Sequence, residues 1–217
     1  GNDIDKLNHA WWTDFWSHRF NSFEQIESPS PHGESSLHGL NLDWKRFTTW
    51  NTVQFYLNEV QPLRQVTPHI PVTTNMMGTY PGLDYRAFAD HLDVVSWDSY
   101  PRWHAEDRKD WEIAADTAFA HDLMRSLKPG RSWMLMESTP SQVNWSPVNR
   151  PKRPGMHLLS SLQAVAHGSD TVQYFQYRKS RGSSEKLHGA VIDHAGHEHT
   201  RVFREVAQVG EALGRLS

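Results

Sequence analysis

The sequence predicts an α/β fold with a parallel sheet, carrying half the content of an eight-stranded (β/α)8 barrel. Three observations lead there. Short apolar runs without helical period recur along the chain, each ending in polar and aromatic residues, as buried strands do. Between them lie stretches whose apolar residues return every three or four positions, the mark of an amphipathic helix. The two kinds of segment alternate, which implies right-handed crossovers and a parallel sheet. The four units found are half of a barrel of eight.

Residues 1–31 read as a short helix, an aromatic loop with Trp11, Trp12, Phe15 and Trp16, and a Pro/Ser-rich turn region, IESPSPHG. So apolar a loop either packs as a lid on its own domain or walls a binding cleft. From Leu42 to Val66, the residues Phe47, Trp50, Val53, Leu57, Val60 and Leu63 keep helical spacing, and Thr67-Pro68 ends the helix. Ile70 to Asn75 is short and β-branched, a first strand closing in the polar Asn75, with a turn from Gly78 to Gly82 behind it. Asp84 is the expected N-cap of a brief helix, LDYRAFADH. Asp93 to Asp98 is a second strand, and it runs out into Ser99, Tyr100 and Pro101. A helix from about Asp107 to Leu127, with Trp111, Ala115, Ala118 and Met124, stops at Lys128-Pro129-Gly130.

Trp133-Met134-Leu135-Met136 is the third strand, and Glu137 sits at its carboxyl end. Met156 to His167 reads as a helix with Gly168 at its C′ position, and Thr171 to Tyr177 as a fourth strand. After the polar loop RKSRGSSEKLHG, Ala190 to Ile192 is a small strand and Asp193 to Gly196 a turn. The last helix, about Glu198 to Leu213, uses Val202, Phe203, Val206, Val209 and Leu213.

Composition narrows the function. The 217 residues suit one domain or part of a larger barrel, and no stretch reads as a linker. Ten Trp, six Tyr and nine Phe in a hydrophilic chain divide between a core and a ligand-stacking surface, of which carbohydrate sites are one kind. A formal charge of -3 with scattered Lys and Arg speaks against nucleic acid as a partner. No cysteine is present, so there is no disulfide framework and no thiolate zinc site, which fits a cytoplasmic protein. No apolar segment approaches the ~18 residues of a membrane span, and GNDIDKLNHA does not read as a signal peptide.

Parallel α/β sheets place their active sites at the carboxyl ends of strands, which makes Glu137 the first candidate. Around it, FWSHRF, PVTTNMMG, DVVSWDSYP, MLMESTPSQVNW and YFQYRKSRGSSEKLHGAV together resemble glycoside hydrolase family 42, the retaining β-galactosidases built on a (β/α)8 TIM barrel. The resemblance implies hydrolysis of terminal β-D-galactosides with no cofactor. It makes Glu137 the nucleophile at the end of the seventh strand, a carboxylate that forms a covalent glycosyl ester. It makes Trp145 a face for the sugar, and Glu185 and His188 the binders of galactose hydroxyls. Trp16, Tyr100 and Phe175 are implied as walls, each of them also compatible with plain core packing.

A retaining enzyme needs a second carboxyl, ~5 Å from the first. In the family it belongs to an Asn-Glu pair closing strand four. Asn58-Glu59 lies within the predicted helix from Leu42 to Val66 and cannot serve. The resemblance therefore places residues 1–217 in the second half of the barrel, strands five to eight, with the acid/base half and the family's later domains outside them. A half-barrel exposes strand edges, so a homo-oligomer is expected. Two other readings stand beside this one: a non-catalytic galactose-binding or structural half-barrel, and a related barrel glucanase or xylanase. Glu185 with His188 favours the galactosidase. His194, His197 and His199 near Asp193 lead from a turn into a helix and are read as solvated, so no metal site is expected.

Overall fold

The computed structural model describes residues 3–29 and 36–216. Part of the expected Pro/Ser-rich turn, residues 30–33, lies outside them. The chain forms two compact units, one from Gly1–Pro68 with Pro81–Phe88, the other from His69–Tyr80 with Ala89–Ser217.

In the first unit, helix α1 (Ile4–Trp11) is capped by Asp3, whose carboxylate accepts the N–H groups of Asp5 and Lys6. Trp11 closes this helix instead of entering the aromatic loop. Its indole N–H donates to Asp43 at 2.9 Å on α2 (His38–Val66), and a Cβ at Gly39 would lie 2.4 Å from its ring, so only glycine permits the approach. The long helix is where the spacing put it. Its buried face, however, is Leu40, Thr49, Val53, Tyr56 and Val60, while Phe47 and Trp50 are 47% and 58% exposed. Spacing alone does not say which of two apolar stripes is covered. Asn58-Glu59 falls within α2, not at a strand end. Asp84 accepts the N–H of Arg86 ahead of the short α3 (Tyr85–Ala89).

In the second unit, strands β1 (Asn75–Met76), β2 (Ser96–Asp98), β3 (Trp133–Glu137) and β4 (Ser169–Val172) lie side by side in chain order, all parallel. β1 is much shorter than Ile70 to Asn75. Pro71 has no N–H, and side chains replace the ladder: the Asp93 carboxylate accepts the Val72 N–H at 2.6 Å and the Thr73 hydroxyl donates to the Val94 carbonyl at 2.6 Å. β4 starts directly after Gly168 and ends before Gln173. The chain beyond it pairs with residues 189–192, through Val191 N–H to Gln176 O at 2.9 Å and Ile192 N–H to Tyr177 O at 2.7 Å. The expected small strand is thus a single bridge, Arg178 to Ile192.

Helix α4 (Asp110–Leu127) buries Ile113, Thr117, Ala120, His121 and Met124 and leaves Trp111 outside. His121 packs against Trp97 and stacks on Trp133, with ring centroids 5.2 and 4.8 Å away, and burial there pushes its imidazole down to about 4. Helices α5 (Met156–Ala166) and α6 (Arg201–Gly214) pack together, and α5 also covers β4. Thr200 caps α6, and Arg201 neutralises the buried Glu205 one turn on.

The register of β2 on β3 is irregular at its end. Trp97 pairs with Leu135 but Asp98 pairs with Glu137, skipping Met136. Strict alternation would send Glu137 to the face of Trp133 and Leu135, which is the helix-covered side. The extra residue re-aims it to stand beside Asp98.

The burial pattern predicts an inversion of what aromatic size suggests. Met124→Ala should lower the unfolding free energy by ~2–5 kcal/mol, because Met124 is 0% exposed. Trp111→Ala should change it by less than ~0.5 kcal/mol, because that indole is 67% exposed. Urea titrations of the two variants compare them directly.

Candidate active site

Glu137 receives hydrogen bonds at both carboxylate oxygens. The Tyr100 hydroxyl donates to Oε2 at 2.7 Å, and the Asn75 side-chain amide approaches Oε1 at 3.4 Å. The same amide donates to both oxygens of Asp98 at 3.0 Å. All of these groups sit at or just beyond the carboxyl ends of β1, β2 and β3. Burial raises the Asp98 carboxyl to about 6, the Asn75 bond opposing this and the charge of Glu137 adding to it. Burial, then the bond to Glu137, also raises the Tyr100 phenol well above its usual range, so it stays a donor.

Around this pair stands a set of rings. Tyr100 meets Trp145 edge-on at 5.0 Å and His188 at 5.9 Å, Trp145 lies 5.3 Å from His188, and Phe175 meets His188 edge-on at 5.1 Å. His188 is fully buried, and its Nδ1 lies 2.9 Å from the Gly189 carbonyl. A carbonyl only accepts, so Nδ1 carries a proton, and in the neutral form of the ring Nε2 is then an acceptor. Among the described residues that Nε2 has no hydrogen-bond partner, and neither does the buried Oε2 of Glu185. The two come from one turn, in which the His188 N–H donates to the Glu185 carbonyl at 3.1 Å. Trp145 remains 57% exposed.

The loops that carry these residues are tied by main-chain groups. Phe175 N–H donates to Ser138 O at 2.8 Å, and Gly189 N–H to Gln142 O at 2.7 Å. A Cβ at Gly189 would lie 2.7 Å from Thr139 Oγ1 and 2.8 Å from Gln142 O, so the close contact of the two loops requires glycine. The Asn144 amide donates to the Ser184 carbonyl. Lys152 is buried, its Nζ on Thr139 O at 2.7 Å and its N–H on Ser141 O at 3.2 Å. His104 joins the loop after β2 to the loop after β3, with Nδ1 on Asp110 at 2.8 Å and Nε2 accepting the Arg153 N–H at 3.0 Å. Between those two loops runs a cleft of about 550 Å³, which shares Tyr100 and Trp145 with the site.

The structure therefore brings Glu137, Tyr100, Trp145, Phe175, Glu185 and His188 to one place in the second unit. Trp16 belongs to the first unit, where its ring lies 5.1 Å from Phe15. His194 bonds the Ser180 carbonyl at 2.8 Å and His197 packs on His199 at 5.4 Å; no group of three or more His, Asp or Glu among the described residues is placed to hold a metal. The sequence marks Tyr100 as a wall without its bond to Glu137, and gives no role to Asn75, which opens β1, or to Asp98, which closes β2. Lys152 left no signal at all, since nothing in a Pro-rich loop distinguishes a buried lysine from a solvated one.

Residues 1–216 match the family described as Glyco_hydro_42, Beta-galactosidase. Beta-galactosidase BglY of Alicyclobacillus acidocaldarius is 64% identical over 214 residues, which is 99% of this chain and 31% of that protein. A catalytic mutant of Gan42B, a GH42 beta-galactosidase from G. stearothermophilus, has a TM-score of 0.92 at 58% identity, covering 97% of this chain and 32% of that one. The beta-galactosidase of a Rahnella species has a TM-score of 0.94 at 56% identity, over 99% of this chain and 31% of its own. The chain spans about a third of the length of these relatives.

Lys152 supplies a pH test of the loop anchor. Desolvation holds its ammonium down to about 7, against 10.5 for an ordinary lysine, with Glu205 pulling the other way. Between those values the unfolded chain binds a proton that the folded chain has released, so stability rises with pH. Urea unfolding from pH 7 to 9 should show that rise in the native chain and a flatter profile in Lys152→Met. Equal slopes would mean that Lys152 is not buried as a strained cation.

Proposed function

This chain belongs to the Glyco_hydro_42 β-galactosidase family, and from that premise we propose that it is part of the catalytic barrel of a retaining hydrolase of terminal β-D-galactosides. Glu137 is the nucleophile in this reading. One of its oxygens attacks the anomeric carbon, the bond to the leaving oxygen breaks, and water later hydrolyses the glycosyl ester. The observation that carries the reading is the Tyr100 hydroxyl on Glu137 at 2.7 Å, together with two buried atoms that have no partner among the described residues, His188 Nε2 and Glu185 Oε2.

Buried polar atoms are seldom left unpaired, and a pair of acceptors in one turn calls for a ligand that brings hydroxyl donors. A hexose does so. The rings of Trp145 and Phe175 supply apolar faces for its C–H groups. Such acceptors also discriminate, because a sugar lacking the matching hydroxyl leaves them unpaired. The four parallel strands are taken as strands five to eight, which assigns the acid/base carboxyl to the other half of the barrel. Asn58-Glu59, exposed on α2, is no substitute for it. The unpaired outer edges of β1 and β4 favour assembly with further strands or with another copy.

Without a proton donor for the leaving oxygen, this chain should turn over lactose ~100- to 10,000-fold more slowly than a complete site would. Dinitrophenyl β-galactoside, whose leaving group needs little protonation, should react more readily. Glu137→Gln should abolish that reaction, and Glu59→Gln should leave it unchanged. Turnover that survives Glu137→Gln and is lost with Glu59→Gln would overturn the assignment. Galactose binding with no reaction on either substrate would favour the non-catalytic binding module.

A further inference from the structure

Asp98 and Glu137 are register partners across β2 and β3, and between them stands one amide nitrogen. The Asn75 Nδ2 donates to both oxygens of Asp98 at 3.0 Å and reaches Oε1 of Glu137 at 3.4 Å. A side-chain amide is nearly symmetric in shape, and turned over it would present its oxygen to two carboxylates. Only the NH2 end is compatible with both neighbours.

The shorter contacts are those to Asp98, so Asp98 chiefly decides the orientation. We propose that Asp98 is a positioning residue for Glu137, acting through Asn75. By holding the amide with its N–H groups toward β3, it keeps a donor on Oε1 while Tyr100 holds Oε2. Held at both oxygens, the carboxylate has its plane set before a substrate arrives, and pre-set geometry of this kind lowers the barrier to attack. The inference rests on the reading of Glu137 as nucleophile.

Among the described residues, the groups that bear on Asp98 are Asn75 from β1, Glu137 from β3 and Tyr100 from the loop after β2, none of them a cation. Burial, with the charge of Glu137 adding to it, lifts Asp98 to about 6. Above that value the carboxylate accepts from the amide. Below it, the protonated group carries an O–H that bonds the Asn75 oxygen instead, turning the amide and removing the donor from Glu137.

The test uses the whole 217-residue chain. Dinitrophenyl 2-deoxy-2-fluoro-β-galactoside should leave a fluorosugar ester on Glu137 as dinitrophenolate departs, and this step requires no acid catalyst. Ester formation, followed by mass spectrometry from pH 4.5 to 8, should fall about tenfold per pH unit below a midpoint near 6. In Asp98→Asn it should be slower at pH 7, by about tenfold or more, and flat across that midpoint. The side-chain amide resonances of Asn75 should titrate at the same midpoint in the native chain and not in Asp98→Asn, and the rest of that spectrum reports whether the variant is folded. If it is not, Asn75→Ala takes its place, with the same slow and flat profile expected.

Label on Glu137 with an unchanged rate and acid limb in the variant would overturn this inference alone. Label on another residue, or none on Glu137, would overturn the nucleophile assignment and this inference with it.

Discussion

The irregular register between β2 and β3 is the constraint from which the site follows. Regular pleating would have turned the Glu137 carboxylate toward Trp133, Leu135 and the α4 side chains that cover them, away from Tyr100 and Asn75. One skipped residue, Met136, reverses this. It brings Glu137 level with Asp98, within reach of Tyr100 two residues further along the same chain as Asp98. The strand does not end in disorder after the bulge, because Ser99 N–H donates to Glu137 O at 2.8 Å and Phe175 N–H to Ser138 O at 2.8 Å. Both neighbouring segments therefore clamp the backbone on either side of the re-aimed residue.

Around that point, the carbonyls of the loops are held by hydrogen bonds from side chains and main chain of the scaffold. The Thr139 and Ser141 carbonyls are taken by Lys152, the Gln142 carbonyl by Gly189 and Thr139, and the Ser184 carbonyl by Asn144. Among the described residues, the buried side-chain atoms of this region without a hydrogen-bond partner are Glu185 Oε2 and His188 Nε2, with Asn144 Oδ1 and Gln176 Nε2 in the same loops. An unpaired buried acceptor costs ~1–3 kcal/mol, a cost that a stable fold tolerates where binding returns it. Burying Lys152 beside neutral His157 is a comparable cost, and it holds in place the loop that follows Glu137. The scaffold spends stability on position. The same trade is visible in glycine: at Gly189 any side chain would strike Thr139 and Gln142, so the two loops meet only there.

How much of this was legible beforehand depends on which physical signal carries each feature. Helices α2, α4, α5 and α6, the parallel order of four strands and the placement of Glu137 at a strand end are written in periodicity and in Pro, Gly and Asx punctuation, all of them local. The grouping of Glu137, Tyr100, Trp145, Phe175, Glu185 and His188 was readable through the family resemblance of their motifs; taken as residues alone, Glu185 and His188 read as an ordinary exposed loop pair. Trp16 was implied as a wall of the site by the resemblance alone; it belongs to the first unit, and its own residue type said only that it is apolar and loop-borne. β1 and β2 came out shorter than their expected runs, because Asp93 and Thr73 supply side-chain hydrogen bonds where a backbone ladder was expected.

By itself, then, the sequence determined the alternation of elements, their direction and the strand ends at which chemistry could sit, since these depend on residues within a turn or two of one another. The tertiary structure alone decided which stripe of α2 is buried, that β2 and β3 slip by one residue, that one Asn75 amide serves two carboxylates, and that Lys152 lies inside. Each of these depends on contacts beyond the reach of local pattern, 23 and 62 positions apart for the two carboxylates on the Asn75 amide and 13 for Lys152 on Thr139, or on a face chosen among equals. Local pattern carries no information about such distances, because the same apolar, amide and lysine side chains would have been equally content in solvent or against another partner.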